Sequence, residues 1–247
     1  MAKDLFSEQS KIYAAFRPSY PRALYDFIYT FVKQKNIAWD CATGNGQVAQ
    51  ELCKDFEQVF ATDLSQQQIG NAFTAPNIHY SVAPAERTTF ESDTFDLITV
   101  AQALHWINVD QFYPEAIRVA KNNAILAVWG YSILHVNDAV DRHFLRFYRD
   151  VVGPYWDAAR QLVEDQYINI PFPFETISTP TFELSLQWTL EQFSGYISSW
   201  SATRNYINSN QHDPVPSFIE QLKTVWQPGE IKAVTFPLFL KLGRIKK

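Results

Sequence analysis

Gly44 and Gly46 lie inside the run WDCATGNGQ at residues 39–47, directly after a short apolar segment. Glycine at such a position permits a tight turn and lets the backbone approach a ligand closely. The helix that follows turns its unpaired N–H groups toward the same place. Asp63 comes 19 residues after Gly44, at the end of the next apolar run, where a carboxylate can take two ribose hydroxyls. This is the chemistry of a nucleotide-like cofactor site. Gly44, Gly46 and Ala49 also satisfy the dinucleotide fingerprint, so a nicotinamide oxidoreductase is an alternative on the glycines alone. Asp40 separates the two readings. A carboxylate at the end of the first strand would repel a pyrophosphate, whereas it suits the ammonium group on the methionine part of S-adenosylmethionine (SAM). Its other reading is structural, a side chain that ties down the turn through backbone N–H groups. The helical pair Tyr29 and Lys33 precedes the first strand, the wrong place for a reductase pair.

Further residues fall around the same point. Leu64 is apolar and next to Asp63, where it can flank an adenine ring, and Ala85 and Glu86 lie in the loop after the third predicted strand. The fourth strand runs into AQALHW at residues 101–106, which brings Gln102, His105 and Trp106 to its C-terminal end. Ligands of doubly wound sheets sit beyond that end of the strands. His105 is a candidate base, or a histidine that serves only to hydrogen-bond its neighbours. Trp106 can shape a methyl channel and offer a π face to a sulfonium, or fill core. Arg17, between Phe16 and Pro18, has the planar fork that grips a carboxylate, of the acceptor or of the cofactor. Arg204, Trp200 and Tyr206 are weaker candidates for the acceptor pocket.

Apolar periodicity places these residues on elements. Two helices are predicted over 3–16 and 20–35, broken at RPSYP, residues 17–21. Strands are predicted at Ile37–Cys41, 59–62, Ile78–Val82, Phe95–Ala101 and 124–130. A helix carrying Val48, Leu52 and Phe56 follows the glycine turn, Ser65 caps another, and a third spans 112–120. Strand and helix thus alternate five times, which predicts a mostly parallel sheet with helices on both faces. Beyond Tyr131 the rhythm changes. Helices are expected over 138–152, 189–209 and 214–225, with a strand through Phe182, Leu184 and Leu186. The last apolar stretch, 233–242, is expected at a sheet edge because it contains Pro237.

Composition sets the bounds. The chain has 247 residues, 47% apolar and 15% aromatic, enough for one densely packed α/β domain. A formal charge of −5 argues against a nucleic-acid surface. Two cysteines, Cys41 and Cys53, suggest neither a disulfide nor a metal site. There is no apolar run of membrane-spanning length, and the expected location is the cytoplasm, as a monomer or homodimer acting on a small molecule.

Taken together, the segments YAAFRPSYP (13–21), 39–49, ATDLS (61–65), PNIHY (76–80), Ala85 with Glu86, 95–106, AVWGY (127–131) and 195–206 resemble the class I SAM-dependent methyltransferases. Within them the resemblance is to the small-molecule group related to trans-aconitate methyltransferase. It implies a single domain with a doubly wound, seven-stranded, mostly parallel Rossmann-like sheet. Residues 1–35 would form an N-terminal helical lid, 36–131 the cofactor-binding half, and 132–247 an acceptor-side elaboration with a helical insertion and the last strands. The implied activity is transfer of a methyl group from SAM, leaving S-adenosylhomocysteine (SAH), to a small organic acid. A catalytically inactive SAM-binding or interaction protein is the alternative. By position, Asp40, Gly44 and Gly46 would frame the methionine portion, Asp63 the ribose, and Ala85 and Glu86 the adenine. Gln102 and Trp106 would lie near the sulfonium, with Tyr13 and Arg17 in the lid. The sequence departs from the pattern at Ala42, where glycine is usual and where alanine fits at negative φ. It departs again at residues 121–124, where Asn122 or Asn123 can take the left-handed turn.

Overall fold

The computed structural model describes residues 19–247. Eight strands form one sheet: β1 (Ile37–Cys41), β2 (Gln58–Asp63), β3 (Ile78–Val82), β4 (Phe95–Ala101), β5 (Ala120–Tyr131), β6 (Glu175–Ile177), β7 (Phe182–Trp188) and β8 (Lys232–Arg244). Their order is β3-β2-β1-β4-β5-β8, with β6 and β7 placed one after the other along the outer side of β8. The sheet is therefore seven positions wide. β1 to β5 are parallel, and β8 runs antiparallel to β5.

Nine α-helices join them: α1 (Arg22–Tyr29), α2 (Gln47–Leu52), α3 (Gln66–Gly70), α4 (Val109–Val119), α5 (Asp138–Arg146), α6 (Arg160–Glu164), α7 (Leu190–Ser198), α8 (Ser201–Asn210) and α9 (Val215–Leu222), counted among the described residues. None is long and apolar enough to cross a membrane.

Side chains alternate across a strand, and the core divides accordingly. Trp39, Ile98, Leu126 and Val128 pack with Phe112 and Ala116 of α4 on one face. Ala38, Leu97, Ile125, Ala127 and Trp129 pack with α1 and α2 on the other. Leu24 and Ile28 of α1 are fully buried there, each stabilising the fold by about 1.5–3 kcal/mol. A third cluster joins β7 and β8 to α5, α7 and α9 through Phe144, Phe193, Phe218, Trp226 and Phe236.

The expected edge strand is instead interior, between β5 and the pair β6 and β7. Pro237 is tolerated because of where its nitrogen points. In an antiparallel strand the N and O of one residue face the same neighbour. The Pro237 carbonyl accepts from Ser132 N–H at 2.9 Å, just past the end of β5. Its nitrogen faces that gap, where a ladder partner is already missing. The helix expected over 189–209 divides at Ser199 and Trp200, and a capping box of Thr189 and Gln192 starts its first part.

Candidate functional site

β1, β2, β3 and β4 are parallel, so their C-terminal ends share one edge of the sheet. The order reverses between β1 and β4, which opens a crevice at that edge. After β1 the chain turns with φ of 56° at Ala42, 57° at Gly44 and 80° at Gly46. Alanine suits this position only at negative φ. It is left-handed instead, a conformation that costs an L-residue roughly 1–2 kcal/mol. A Cβ on Gly46 would lie 2.2 Å from the Tyr80 hydroxyl, which donates to the Phe73 carbonyl at 2.7 Å. Nothing approaches a Cβ on Gly44, so that position demands glycine for its φ alone.

Asp40 is 1% exposed. One carboxylate oxygen accepts from the Thr99 hydroxyl at 2.9 Å and the other from the Thr43 hydroxyl, with the Ala49 N–H adding to them. Burial outweighs these bonds and lifts the carboxyl to about 6. The side chain thus clamps the turn to β4, with hydroxyls as its main partners and a single backbone N–H beside them.

Asp63 closes the turn from the other side. Its oxygens accept from Gly44 N–H and Ser65 N–H, each at 2.8 Å, while Thr43 N–H reaches the Thr62 carbonyl at 2.9 Å. Ser65 caps α3 by accepting from Gln68 N–H. Beside Asp63, Leu64 is 51% exposed, and Val82 at the end of β3 is 49% exposed. Large apolar side chains left open at strand ends in a crevice mark a contact surface. Ala85 is buried, and Glu86 accepts from Asn108 N–H at 2.9 Å, which fastens the loop after β3 to the start of α4.

At the end of β4, Gln102 is left-handed with φ of 52°. Its N–H bonds the Trp129 carbonyl at 2.8 Å and its side-chain amide donates to the Tyr131 carbonyl at 3.2 Å. A Cβ on Gly130 would meet both the Gln102 carboxamide oxygen and the Phe239 ring within 3 Å. Ala42 and Gln102, two of the seven non-glycine residues with positive φ among those described, directly follow the C-terminal ends of β1 and β4.

His105 and Trp106 belong to the short 3-10 turn Leu104–Trp106. Their rings are 4.7 Å apart, and Trp106 is 36% exposed. The Nδ1 of His105 lies 2.8 Å from the Tyr167 hydroxyl. Burial, helped by the charge of Arg160, lowers His105 to about 3. Burial also pushes the Tyr167 hydroxyl up, so it keeps its proton, while the backbone N–H groups of His105 and Leu104 face its oxygen. That proton is directed at Nδ1, and the ring proton of neutral His105 then sits on Nε2.

Tyr13 and Arg17 lie outside the described residues. Trp200 is buried among Phe144, Tyr148, Trp156 and Tyr196. Tyr206 bonds His212 at 3.0 Å and lines a different cavity, of about 310 Å³, with His143, Arg146 and Phe218. Sequence reasoning passed over Thr43, Thr99, Tyr167 and Arg160. The threonines look like ordinary turn and strand residues, and residues 153–170 carry no periodicity that would place Tyr167 against His105.

The comparisons bear on this geometry. Residues 39–128 match the methyltransferase domain family. A protein of Dictyostelium discoideum, provisionally described as a methyltransferase, is 34% identical over 249 residues, covering 98% of this chain and 95% of that protein. The chain belongs to the class I SAM-dependent methyltransferases. A solved structure from Anaeromyxobacter dehalogenans, provisionally a type II methyltransferase, is 34% identical with a TM-score of 0.87, covering 94% of this chain and 99% of that one. A Saccharomyces cerevisiae protein, provisionally a SAM-dependent methyltransferase, is 24% identical over 256 residues and 88% of each chain. None of these likenesses bears on the narrower trans-aconitate branch.

The cofactor of this family suits the residues present. Gly44 leaves open space beside its backbone where a Cβ would stand, Asp63 supplies a carboxylate at the ribose position of the fold, and Leu64 and Val82 leave apolar surface beside it.

Proposed function

We propose that this methyltransferase binds SAM across the C-terminal ends of β1 to β4 and methylates a small molecule held between those ends and the helices that follow β5. Asp63 carries the reading. Its carboxylate is held at the C-terminal end of β2 by the amides of Gly44 and Ser65, and that end is where a nucleotide-binding sheet of this order takes a ribose. The bond to Gly44 ties the glycine turn to the ribose position.

The roles follow from placement. Asp40 keeps the turn rigid through Thr43 and Thr99, and the backbone of Ala42, Gly44 and Gly46 frames the methionine portion. Leu64 and Val82 flank the adenine, with Ala85 and Glu86 bordering it. Gln102 and Trp106 line the methyl end, and by family likeness Tyr13 and Arg17 close over the cofactor. When bound, SAM supplies a methyl group on a positively charged sulfur, an electrophile that needs no further activation. The protein's task is to align the acceptor and exclude water.

A ring with a pKa near 3 is a poor proton acceptor at neutral pH. We therefore read His105 as a hydrogen-bond donor through Nε2, not as a base. The acceptor brings a nucleophile that is already unprotonated or that releases its proton to solvent.

The test is calorimetric titration of the protein with SAM and separately with SAH, with Asp63→Ala as control. Micromolar binding that weakens at least 30-fold in the variant is expected. Absence of binding to the folded wild-type protein would overturn the proposal.

A further inference from the structure

We propose that Tyr167 is a positioning residue for methyl transfer, holding His105 as an Nε2 proton donor to the acceptor, and that Lys241 in turn holds Tyr167. The inference rests on the SAM reading above and names what orients the donor in it. Tyr167 is fully buried, and its hydroxyl lies 2.8 Å from Nδ1 of His105, with the two rings 5.9 Å apart. The backbone N–H groups of Leu104 and His105 face the same oxygen. A phenolic oxygen has one proton to give and room to accept two. With both acceptor positions taken by backbone, the hydroxyl donates to Nδ1, and the imidazole proton is left on Nε2.

Tyr167 comes from a segment that needs help to hold this pose. Gln166 and Tyr167 are consecutive left-handed residues, with φ of 53° and 56°, a conformation disfavoured for L-residues. Lys241 of β8 donates through Nζ to the Tyr167 carbonyl at 2.7 Å and to the Ile170 carbonyl at 3.0 Å. Phe239 lies two residues before Lys241, on the same face of the strand, and meets the Tyr167 ring edge-on at 5.1 Å. Tyr113 of α4 donates to the Pro171 carbonyl at 2.7 Å, just beyond the turn. β8 pairs with β5 and β5 with β4, so the sheet itself sets the distance from Tyr167 to the turn that carries His105.

Nε2 is the open end of this relay. No hydrogen bond or ion pair within the described residues engages it. His105 is half-buried, and its ring stands 4.7 Å from that of Trp106, just past the C-terminal end of β4. With Nδ1 fixed, Nε2 keeps one direction. It offers the acceptor a directional hydrogen bond, which aligns a lone pair without taking a proton. His105 ends the reaction with the proton it began with. Without the Tyr167 hydroxyl the ring stays packed but can carry its proton on either nitrogen, and part of the population then turns a bare nitrogen to the acceptor.

The test is nitrogen NMR of the full chain, isotope-labelled in its histidines and loaded with SAH at neutral pH. His105→Gln identifies the His105 signals among those of the five histidines. Wild type should show one form, with Nε2 protonated and Nδ1 bare. Tyr167→Phe keeps the aromatic ring and should show both neutral forms. Lys241→Met leaves the hydroxyl but releases the two carbonyls, and should show the same mixture to a smaller extent. SAH affinity should change by less than about twofold in both variants, which also establishes that they fold. Turnover is read with methyl-labelled SAM on a panel of hydroxyl, thiol, amine and carboxyl compounds. On the compound that wild type methylates fastest, Tyr167→Phe should lose about tenfold in kcat/KM, the scale of one hydrogen bond, with KM for SAM unchanged. A proton on Nδ1 in wild type would overturn the proposal whether or not the variants fold. A single unchanged form in Tyr167→Phe would also overturn it, as would full turnover by that variant despite mixed forms. An unchanged Lys241→Met would overturn the part given to Lys241. Folded wild-type protein that does not bind SAH, or that binds it and methylates nothing in the panel, would overturn the cofactor and methyl-transfer reading instead.

Discussion

Replacing Asp40 by asparagine removes an ionisable group from a fully buried position while keeping its shape. Burial lifts the carboxyl from 3.8 to about 6 in the folded chain. As pH rises, the unfolded chain gives up this proton first, so between about pH 4 and pH 6 the folded state binds more protons. Stability then falls with rising pH. At 1.36 kcal/mol per pH unit the loss is about 3 kcal/mol, complete above pH 6. Asparagine still accepts from one of the Thr43 and Thr99 hydroxyls, and the other bond costs roughly 1 kcal/mol whatever the pH. In urea melts followed by tryptophan fluorescence from pH 4 to pH 8, Asp40→Asn should therefore gain about 3 kcal/mol on wild type across the series. In thermal melts that is roughly 6–12 °C for a chain of this size. A gap between the two proteins that stays constant with pH would refute the reasoning, and so would one that moves the other way. The same variant should bind SAM more weakly, because the charge and one clamp of the turn are gone.

Two further outcomes follow from the same physics. Ala42→Gly relieves a left-handed alanine but loosens the unfolded chain, for a net gain of roughly 0.5 kcal/mol in denaturant melts. A loss above 1 kcal/mol would mean that the methyl group's packing outweighs the strain. Burial pushes the Glu115 carboxyl up, but its pair with Arg118 and its two bonds from Thr88 outweigh that and leave it at about 2. Its stabilisation is full above pH 4.5 and lost as pH falls toward 2. Glu115→Gln should therefore cost about 2 kcal/mol at pH 7 and almost nothing near pH 2. An acid-denaturation series of both proteins checks it, and a cost that persists at pH 2 would sink it.

Much of the site was legible because its signals are local. β1, β3 and β4 run over the residues expected from apolar pattern. The Ser65 cap follows from a side chain and its own next turn, and Asn123 takes the left-handed position for a reason confined to that residue. Ala42 shows the limit even there. Its φ belongs to a turn held between Asp40, Thr43 and Asp63, and those contacts override the preference of an alanine.

What tertiary structure alone decided are the pairings between distant segments. β8 was misplaced because proline was weighed as a missing donor without knowing that β5 stops opposite it. Tyr167 meets His105 from 62 positions away, and Arg160 arrives on a five-residue helix in a stretch without periodicity. A hydrogen bond between such segments is set by where two backbones happen to run in space, and it leaves no spacing in the chain to read. The sequence by itself placed β1 to β5, the glycine turn and the resemblance to the family. Which hydroxyls hold Asp40 and which ring meets His105 were settled when those elements packed.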